Sequence, residues 1–423
     1  MSSSETDHGA RDEAPIHNTP PVTDWTTDYD IFDAEYVTDP VPIWDDLRQQ
    51  CPIAHTGRWG GSWMPTRHAD LQALAKIVPQ LSSTDPLVVS MPDDVVDPTA
   101  QEEQEPGMGA PPISADPPLS EWTRRIILPT FAPKAVESYR DYTEQLCHQL
   151  IDGFIDEGAC DAAEQYAQQI PPRVIAHLLG IDPNKADDFT MWVRGVLEFG
   201  LYDPKLRIKY RDIIREFLIA EVSARAAEPR DDKISEYLAA DMPEGVDRVR
   251  LVVGIANLLL IAGIDTTWSS IGSALFHFGT HADDRQRLAT DHSLFPTAIE
   301  EMLRYYSPVT MARVALEDVE YGDVTFKEGD KVLMNFPAAN HDPEVFDNPE
   351  QILIDRERNR HIAFGSGIHR CAGSNLARLE MDVALRTWFE RIPDFEVSDP
   401  DGVTWAGGQV RGPRVLPMRF PST

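Results

Sequence analysis

The stretch that decides the fold is FGSGIHRCAG, residues 364–373, which holds three glycines, a histidine and a cysteine in ten positions. Gly365, Gly367 and Gly373 predict neither a regular helix nor a strand, because glycine favours tight bends and close approach of the backbone. Cys371 lies just before a strong helical pattern, SNLARLEMDVALRTWFERI. A cysteine on so bare a loop could be a zinc ligand, a nucleophile, half of a disulfide or the thiolate of a haem iron.

The other cysteines narrow these alternatives. The sequence has four, Cys51, Cys147, Cys160 and Cys371, and no CxxC pair. This spacing argues against a zinc site and against a disulfide framework, and it suits a reducing cytosol. The unpaired N–H groups at a helix N-terminus favour a thiolate. Taken alone, however, the loop fits a buried and inert cysteine at least as well.

Composition excludes some classes of function. The chain has 423 residues, of which 42% are hydrophobic, and its net charge is −32. Wholesale nucleic-acid binding is excluded, because phosphate contacts need a basic surface. Residues 1–25 contain no apolar stretch, so they predict a disordered or loosely attached tail without a signal peptide or membrane anchor. We therefore expect a soluble, cytoplasmic protein.

Hydrophobic spacing predicts the fold class. Nearly every segment from Pro118 to Arg304 has helical spacing, and strand-like segments come late, at 319–336 and 404–420. The acidic, proline-rich stretch 92–118 predicts a long loop, either a linker or a lid over a binding site. The sequence thus predicts a mainly α protein with a small β region, folded as a single large domain over 26–423.

The most apolar segment, residues 251–279, is long enough to span a bilayer. Polar residues interrupt it and nothing basic flanks its far end, so a buried central helix is the better interpretation. Its middle, AGIDTT, breaks two local rules. Asp265 carries a charge that is costly to bury, and Gly263 weakens a helix by about 1 kcal/mol relative to alanine. Such departures together often mark a functional site.

Three motifs in a fixed order carry a family resemblance: AGxDTT at 262–267, ExxR at 301–304 and FGxGxHxCxG at 364–373. From about Phe32 to its C-terminus the chain resembles the cytochrome P450 family, the haem-thiolate monooxygenases. The segment 116–133 and the closing GGQVRG are similar to soluble bacterial members. The resemblance implies the cytochrome P450 fold, a single large domain with a long central helix over the haem.

The cofactor that the resemblance implies is haem b. Cys371 would be the axial thiolate, which pushes electron density toward the iron and favours O–O cleavage. Phe364 would pack near the sulfur, and Gly373 would let the backbone run close to the porphyrin. Charge-assisted donors are needed for the buried haem propionates. The family positions that supply them correspond to Arg124, Arg313 and His369.

The chain departs from the family at one of these positions. Relatives often have a histidine four residues before the first propionate arginine, where this sequence has Ser120. The indole N–H of Trp122 could replace it. Glu301 and Arg304 match a structural ion pair that shapes the core near the cysteine loop.

Asp265 and Thr266 match the acid–alcohol pair that delivers protons to the reacting dioxygen. The threonine hydroxyl can both donate and accept, and the carboxylate can relay solvent protons. The neighbouring Ala262 and Gly263 would leave room for oxygen and substrate. A peroxide-driven enzyme and a non-enzymatic haem or ligand-binding protein are the alternatives, and neither needs this pair.

Substrate and redox partner follow only from the resemblance. The last third of the chain is similar to terpenoid hydroxylases of the cineole and camphor type, and the pocket segments are largely apolar. The expected substrate is a small, mostly apolar organic molecule, a terpenoid or a substituted aromatic, oxidised with O2. Electrons would come from NAD(P)H through an external ferredoxin or flavodoxin with its reductase, and neither nucleic acid nor membrane would be a partner. An acidic ferredoxin would dock on a cluster of basic residues: Arg124, Arg125, Arg370 and Arg378.

Overall fold

The computed structural model describes residues 19–92, 95 and 109–422. Most of the predicted tail and residues 93–94 and 96–108 of the predicted acidic loop lie outside this range. The described end of the tail contacts the rest of the chain, because Arg58 Nη1 donates to the Pro20 carbonyl at 2.8 Å.

Helices dominate the structure, as the sequence predicted. Their bounds are α1 Trp25–Asp28, α2 Ala34–Thr38, α3 Val41–Gln50, α4 His68–Leu74, α5 Leu119–Ile127, α6 Pro133–Glu137, α7 Arg140–Asp152, α8 Ile170–Leu179, α9 Ala186–Leu197, α10 Phe199–Tyr202, α11 Pro204–Ala227, α12 Lys233–Ala239, α13 Arg248–Thr280, α14 Ala282–Thr290, α15 Phe295–Tyr305, α16 Phe336–Ala339 and α17 Ser374–Arg391.

The strands are short and lie mainly in the N-terminal part and the last third of the chain. They are β1 Ile53–Thr56, β2 Ser62–Pro65, β3 Leu81–Ser82, β4 Ala159–Asp161, β5 Met311–Ala315, β6 Val319–Tyr321, β7 Val324–Phe326, β8 Lys331–Met334, β9 Glu396–Val397, β10 Thr404–Ala406, β11 Gly412–Val415 and β12 Pro417–Arg419. The largest sheet has the order β1-β2-β8-β5-β3, in which only β2 and β8 are parallel. The smaller sheets are β4-β12-β9, β10-β11 and β6-β7.

Helix α13 is the long central helix that the apolar segment predicted. The side chain of Asp247 caps its N-terminus by accepting from the backbone N–H of Arg250. Among the described residues it alone has the length and hydropathy of a membrane-spanning helix. Most of its side chains are buried, from Leu251 to Gly279. It packs against α8, α9, α11 and α17, which is the position of a core helix.

The core is built around α13 and α17. One large cluster of buried apolar side chains joins these helices to α7, α8 and α9, with Ile264, Leu376 and Trp388 among its members. Two smaller clusters pack around the large sheet. The segment that carries the acid–alcohol motif and the helix that follows the cysteine loop therefore share one core, which fixes the two motifs relative to each other.

Candidate active site

The cysteine loop is held in a tight curve by its own backbone. The N–H of Cys371 donates to the Phe364 carbonyl at 2.8 Å. Gly365 and Gly367 have positive φ angles of 73° and 71°, a region that L side chains rarely adopt. A Cβ on Gly367 would also lie 2.6 Å from the Ala75 carbonyl oxygen. Two of the three glycines are thus required by the fold of the loop.

Cys371 is an exposed residue, but the surrounding protein desolvates its thiol. Burial raises the pKa of the thiol, while the Gly373 N–H and the nearby guanidinium groups oppose that rise. Gly373 itself has an ordinary φ of −83°, and it contributes its N–H group at the start of α17. Its contribution is therefore an N–H donor rather than unusual backbone freedom.

Arg378 packs against the cysteine loop through the ring of Phe364. Its guanidinium lies 4.4 Å from the ring centroid of Phe364 and forms hydrogen bonds of 2.5 and 2.8 Å with Glu300. Glu300 also contacts His361 Nε2 at 2.9 Å. Although burial opposes its ionisation, Arg378 and His361 hold the pKa of Glu300 at about 2. Arg378 is thus a partly accessible cation paired with Glu300, and its predicted role in docking an acidic redox partner stays a prediction.

Three basic side chains near the loop have few acceptors. Arg313 is buried on β5, and burial lowers its pKa to about 10. Within the described part of the chain it forms no ion pair, and it donates only to the Ala312 carbonyl, at 2.7 Å. Nε2 of His369 is buried without a hydrogen-bond partner, and burial together with Arg313 lowers its pKa to about 4. Arg124 donates to the Arg370 carbonyl at 2.6 Å.

Helix α5 supplies one more unpaired donor. The hydroxyl of Ser120 is buried and has no partner among the described residues, and it lies one helical turn before Arg124. Residues four apart share a helix face, so Ser120 and Arg124 point the same way. Trp122, two positions along, packs against the large core cluster instead.

One face of α13 is partly accessible near its middle, although the adjacent residues of the helix are buried. Ala262, Gly263 and Thr266 are partly accessible, while Ile264 and Asp265 are buried. The hydroxyl of Thr266 donates to the Ala262 carbonyl at 2.8 Å, which leaves its lone pairs available as acceptors. A Cβ on Gly263 would lie 2.8 Å from Ile175 Cδ1, so this glycine lets α13 pack closely against the Ile175 side chain.

Asp265 points away from that open face into a buried ion pair. Arg414 Nη2 lies 3.0 and 3.2 Å from its two carboxylate oxygens, and the Ser269 hydroxyl donates to it at 3.1 Å. The side chain is completely buried. Burial raises the pKa of Asp265, and Arg414 opposes that rise. The structure therefore brings Asp265 and Thr266 to one turn of helix but gives their side chains different surroundings.

The ExxR pair is part of a buried structural network. Glu301 and Arg304 form two hydrogen bonds of 2.8 and 2.9 Å with both side chains fully buried. Arg304 also donates to three backbone carbonyls, and Arg356 and Asn359 donate to Glu301. This network fixes the segment 340–359, which leads into the cysteine loop.

Comparison with known proteins identifies the family. The cytochrome P450 family model matches residues 282–404. 6-Deoxyerythronolide B hydroxylase of Saccharopolyspora erythraea is 31% identical over 93% of this chain and 99% of its own length. Vitamin D(3) 25-hydroxylase of Pseudonocardia autotrophica is 32% identical over 89% and 92%. The chain belongs to the cytochrome P450 family.

The solved structure of the cytochrome P450 PksS from the Bacillus subtilis 168 bacillaene polyketide synthase superposes with a TM-score of 0.81 and 28% identity, covering 93% of this P450 and 99% of that chain. The predicted fold is confirmed. This P450 is a monooxygenase with haem b as its cofactor. Its residues fit that group, because a desolvated cysteine lies close to buried, unpaired donors of the kind that two carboxylates require.

Sequence reasoning missed two groups of this site. Arg414 holds Asp265 and lies 149 positions from it in the sequence. Glu300 holds Arg378 across 78 positions. The buried charge of Asp265 was the one signal for the first pair, because it required a cation. No pattern in the sequence indicated which cation that would be.

Proposed function

We propose that this P450 inserts one oxygen atom from O2 into a small, mostly apolar organic molecule, and that Cys371 would hold the haem iron as a thiolate. Arg124, Arg313 and His369 would bind the haem propionates, and Phe364 and Gly373 would pack or donate beside the sulfur. The observation that carries this assignment is Arg313, a buried cation that forms no ion pair in the described part of the chain. Burying such a charge is costly without an anionic partner. Ser120, rather than Trp122, would be the further propionate donor on α5.

The proposed mechanism assigns separate tasks to the two residues of the acid–alcohol pair. Bound haem supplies the redox iron at which O2 is activated. The open face of α13 lets the Thr266 hydroxyl accept from a water molecule and orient it toward the reacting oxygen. Asp265 would relay protons from solvent to that water, and its buried carboxylate, paired with Arg414, would be ionised between transfers.

The substrate class that we propose is a terpenoid or a substituted aromatic. The relatives are named as hydroxylases of 6-deoxyerythronolide B and of vitamin D(3), so hydroxylation is the reaction that we favour. The accessible positions of α13 just before Thr266 are apolar, at Ile261, Ala262 and Gly263. A panel of terpenoids and aromatics, scored by optical difference spectra for displacement of the water on the iron, would identify the ligand class.

Electrons would come from NAD(P)H through an external ferredoxin or flavodoxin with its reductase. An iron–sulfur cluster needs about four cysteine ligands, and the sequence has only four cysteines, of which Cys371 is committed elsewhere. Cys147 and Cys160 are buried. We place this P450 in the cytoplasm, without a nucleic-acid or membrane partner.

The test of the proposed function is the yield of product per NAD(P)H consumed. In Thr266→Ala we expect haem and substrate binding to persist while oxygen leaves as peroxide, because the water is no longer oriented. The matched control is Thr267→Ala, which changes the buried threonine next to it and should keep the wild-type yield. A full yield in Thr266→Ala would contradict the proposed role of the hydroxyl.

A further inference from the structure

The buried carboxylate of Asp265 is surrounded by three charged side chains. Arg414, on β11, contacts Asp265 at 3.0 Å and Glu198 at 2.9 Å. Glu198, between α9 and α10, is also paired with Arg194 at 3.0 Å. The Arg414 guanidinium lies over the ring of Trp268, 5.2 Å from its centroid. Two carboxylates and two guanidiniums thus meet where α13, β11 and the end of α9 pack together.

We propose that Arg414 is a positioning residue for Asp265, which fixes the orientation of the carboxylate and sets how readily it takes up a proton. The inference rests on the proposed role of Asp265 in proton delivery. Arg414 lies on β11, and in the described contacts it touches neither the cysteine loop nor the open face of α13. Arg414 acts on the reaction only through Asp265.

Arg414 is shared between Asp265 and Glu198, and this sharing determines which of the two carboxylates takes up a proton more readily. Arg194 contacts Glu198 but makes no hydrogen bond to Asp265 in the described structure. Burial alone would raise the pKa of Glu198, but Arg414 and Arg194 together hold it below its usual range. Without Arg414, Glu198 would keep one cation and Asp265 would keep none. Two adjacent buried carboxylates cannot both stay ionised, so Asp265 is the one that would take up the proton.

A purely structural role for Arg414 predicts something different. The same contacts also join β11 to α13, and their loss would lower stability whatever the protonation of Asp265. Arg414→Lys separates the two roles, since lysine keeps the positive charge but loses the planar fork that spans both acids. If Arg414 sets the protonation of Asp265, lysine should partly restore the protonation midpoint of the Asp265 carboxyl.

The experiment is an infrared pH titration of the carboxylic acid C=O band of Asp265 in the holoenzyme, with Asp265→Asn used to assign the band. In Arg414→Gln the midpoint should rise by about 1–3 pH units, the usual effect of removing an adjacent opposite charge. Arg414→Lys should give a smaller rise. The matched control, Arg194→Gln, removes the other cation of the cluster and should shift the band less than Arg414→Gln.

A second variant keeps the test decisive if Arg414→Gln does not fold. Glu198→Gln removes the competing anion, so the midpoint of Asp265 should fall below that of wild type. An unchanged midpoint in the folded Arg414 variants, or a rise in Glu198→Gln, would overturn the inference. Product per NAD(P)H is measured in parallel across pH. If the midpoint of the Asp265 band shifts but the pH dependence of product per NAD(P)H does not, Arg414 is supported as the positioning residue. The role of Asp265 in proton delivery is then refuted.

Discussion

Arg304 and Arg313 are both buried arginines of this P450, but their surroundings are opposite. Arg304 is paired with Glu301 and donates to three further carbonyls. Arg313 donates to one carbonyl, and no acid among the described residues lies within ion-pair distance. A fully partnered cation supports the fold, while an unpartnered one requires a ligand. At the scale of single residues, hydrogen-bond partners thus separate structural from binding arginines.

The prediction that follows is that Arg313→Leu holds haem weakly. Removing one partner of a buried charge pair costs about 2–5 kcal/mol, which corresponds to an increase of about thirtyfold or more in the haem dissociation constant. The measurement is haem transfer to a scavenging apoprotein, followed by absorbance. Arg125→Leu removes an exposed arginine next to Arg124 and should leave haem transfer unchanged. Equal retention of haem in Arg313→Leu and wild type would contradict the assignment.

At the scale of elements, β11 lies unusually close to α13. A Cβ on Gly412 would lie 2.3 Å from Ser269 Cβ, and one on Gly272 would lie 2.8 Å from Pro413 Cγ. The absence of side chains at these two positions brings the strand and the helix together. This approach lets Arg414, two residues after Gly412, reach Asp265.

We expect Gly412→Ala to destabilise the holoenzyme by about 1–3 kcal/mol, the usual cost of overpacking a close contact. The strand would also move away from the helix and lengthen the Arg414–Asp265 contact. Urea unfolding followed by circular dichroism gives the free energy of unfolding. Gly57→Ala is the control, because a Cβ there meets nothing within 4 Å and φ is −89°. An unfolding midpoint equal to that of wild type would show that the close approach is not needed.

Elements were more predictable from the sequence than the contacts between them. Periodicity predicted α17 and the strands of 319–336 because these patterns depend on near neighbours. The motifs predicted which residues of the cysteine loop and of α13 belong to the site. The ion pair of Asp265 with Arg414 could not be predicted, because it joins positions 149 residues apart. For the same reason, the ion pair of Arg378 with Glu300, 78 positions apart, could not be predicted.

At the scale of the whole molecule, the net charge of −32 makes any local basic surface distinctive. On the cysteine side, Arg378 is paired with Glu300, and Arg124 donates to the Arg370 carbonyl. Arg125 stays exposed on α5. We therefore propose that Arg125 attracts the acidic redox partner.

Arg125→Glu should slow association with an acidic ferredoxin at low salt, because like charges now meet at the docking surface. The difference from wild type should shrink as salt rises, since screening acts beyond about 10 Å at 0.1 M. Stopped-flow reduction of the haem at several salt concentrations measures this. Arg230→Glu makes the same change of net charge at an exposed position between α11 and α12 and should have a smaller effect. Equal rates in the two variants would contradict a local docking role.

The central claim is that one cysteine of four makes this P450 a haem-thiolate enzyme. Burial raises the pKa of Cys147, Cys160 and Cys371, but of these three thiols Cys371 alone has arginine guanidiniums that oppose the rise. The most direct measurement is the absorption spectrum of the reduced carbon monoxide complex. In Cys371→Ser the thiolate band should be lost, while Cys147→Ser and Cys160→Ser should keep it. A thiolate band that persists in Cys371→Ser would contradict the account.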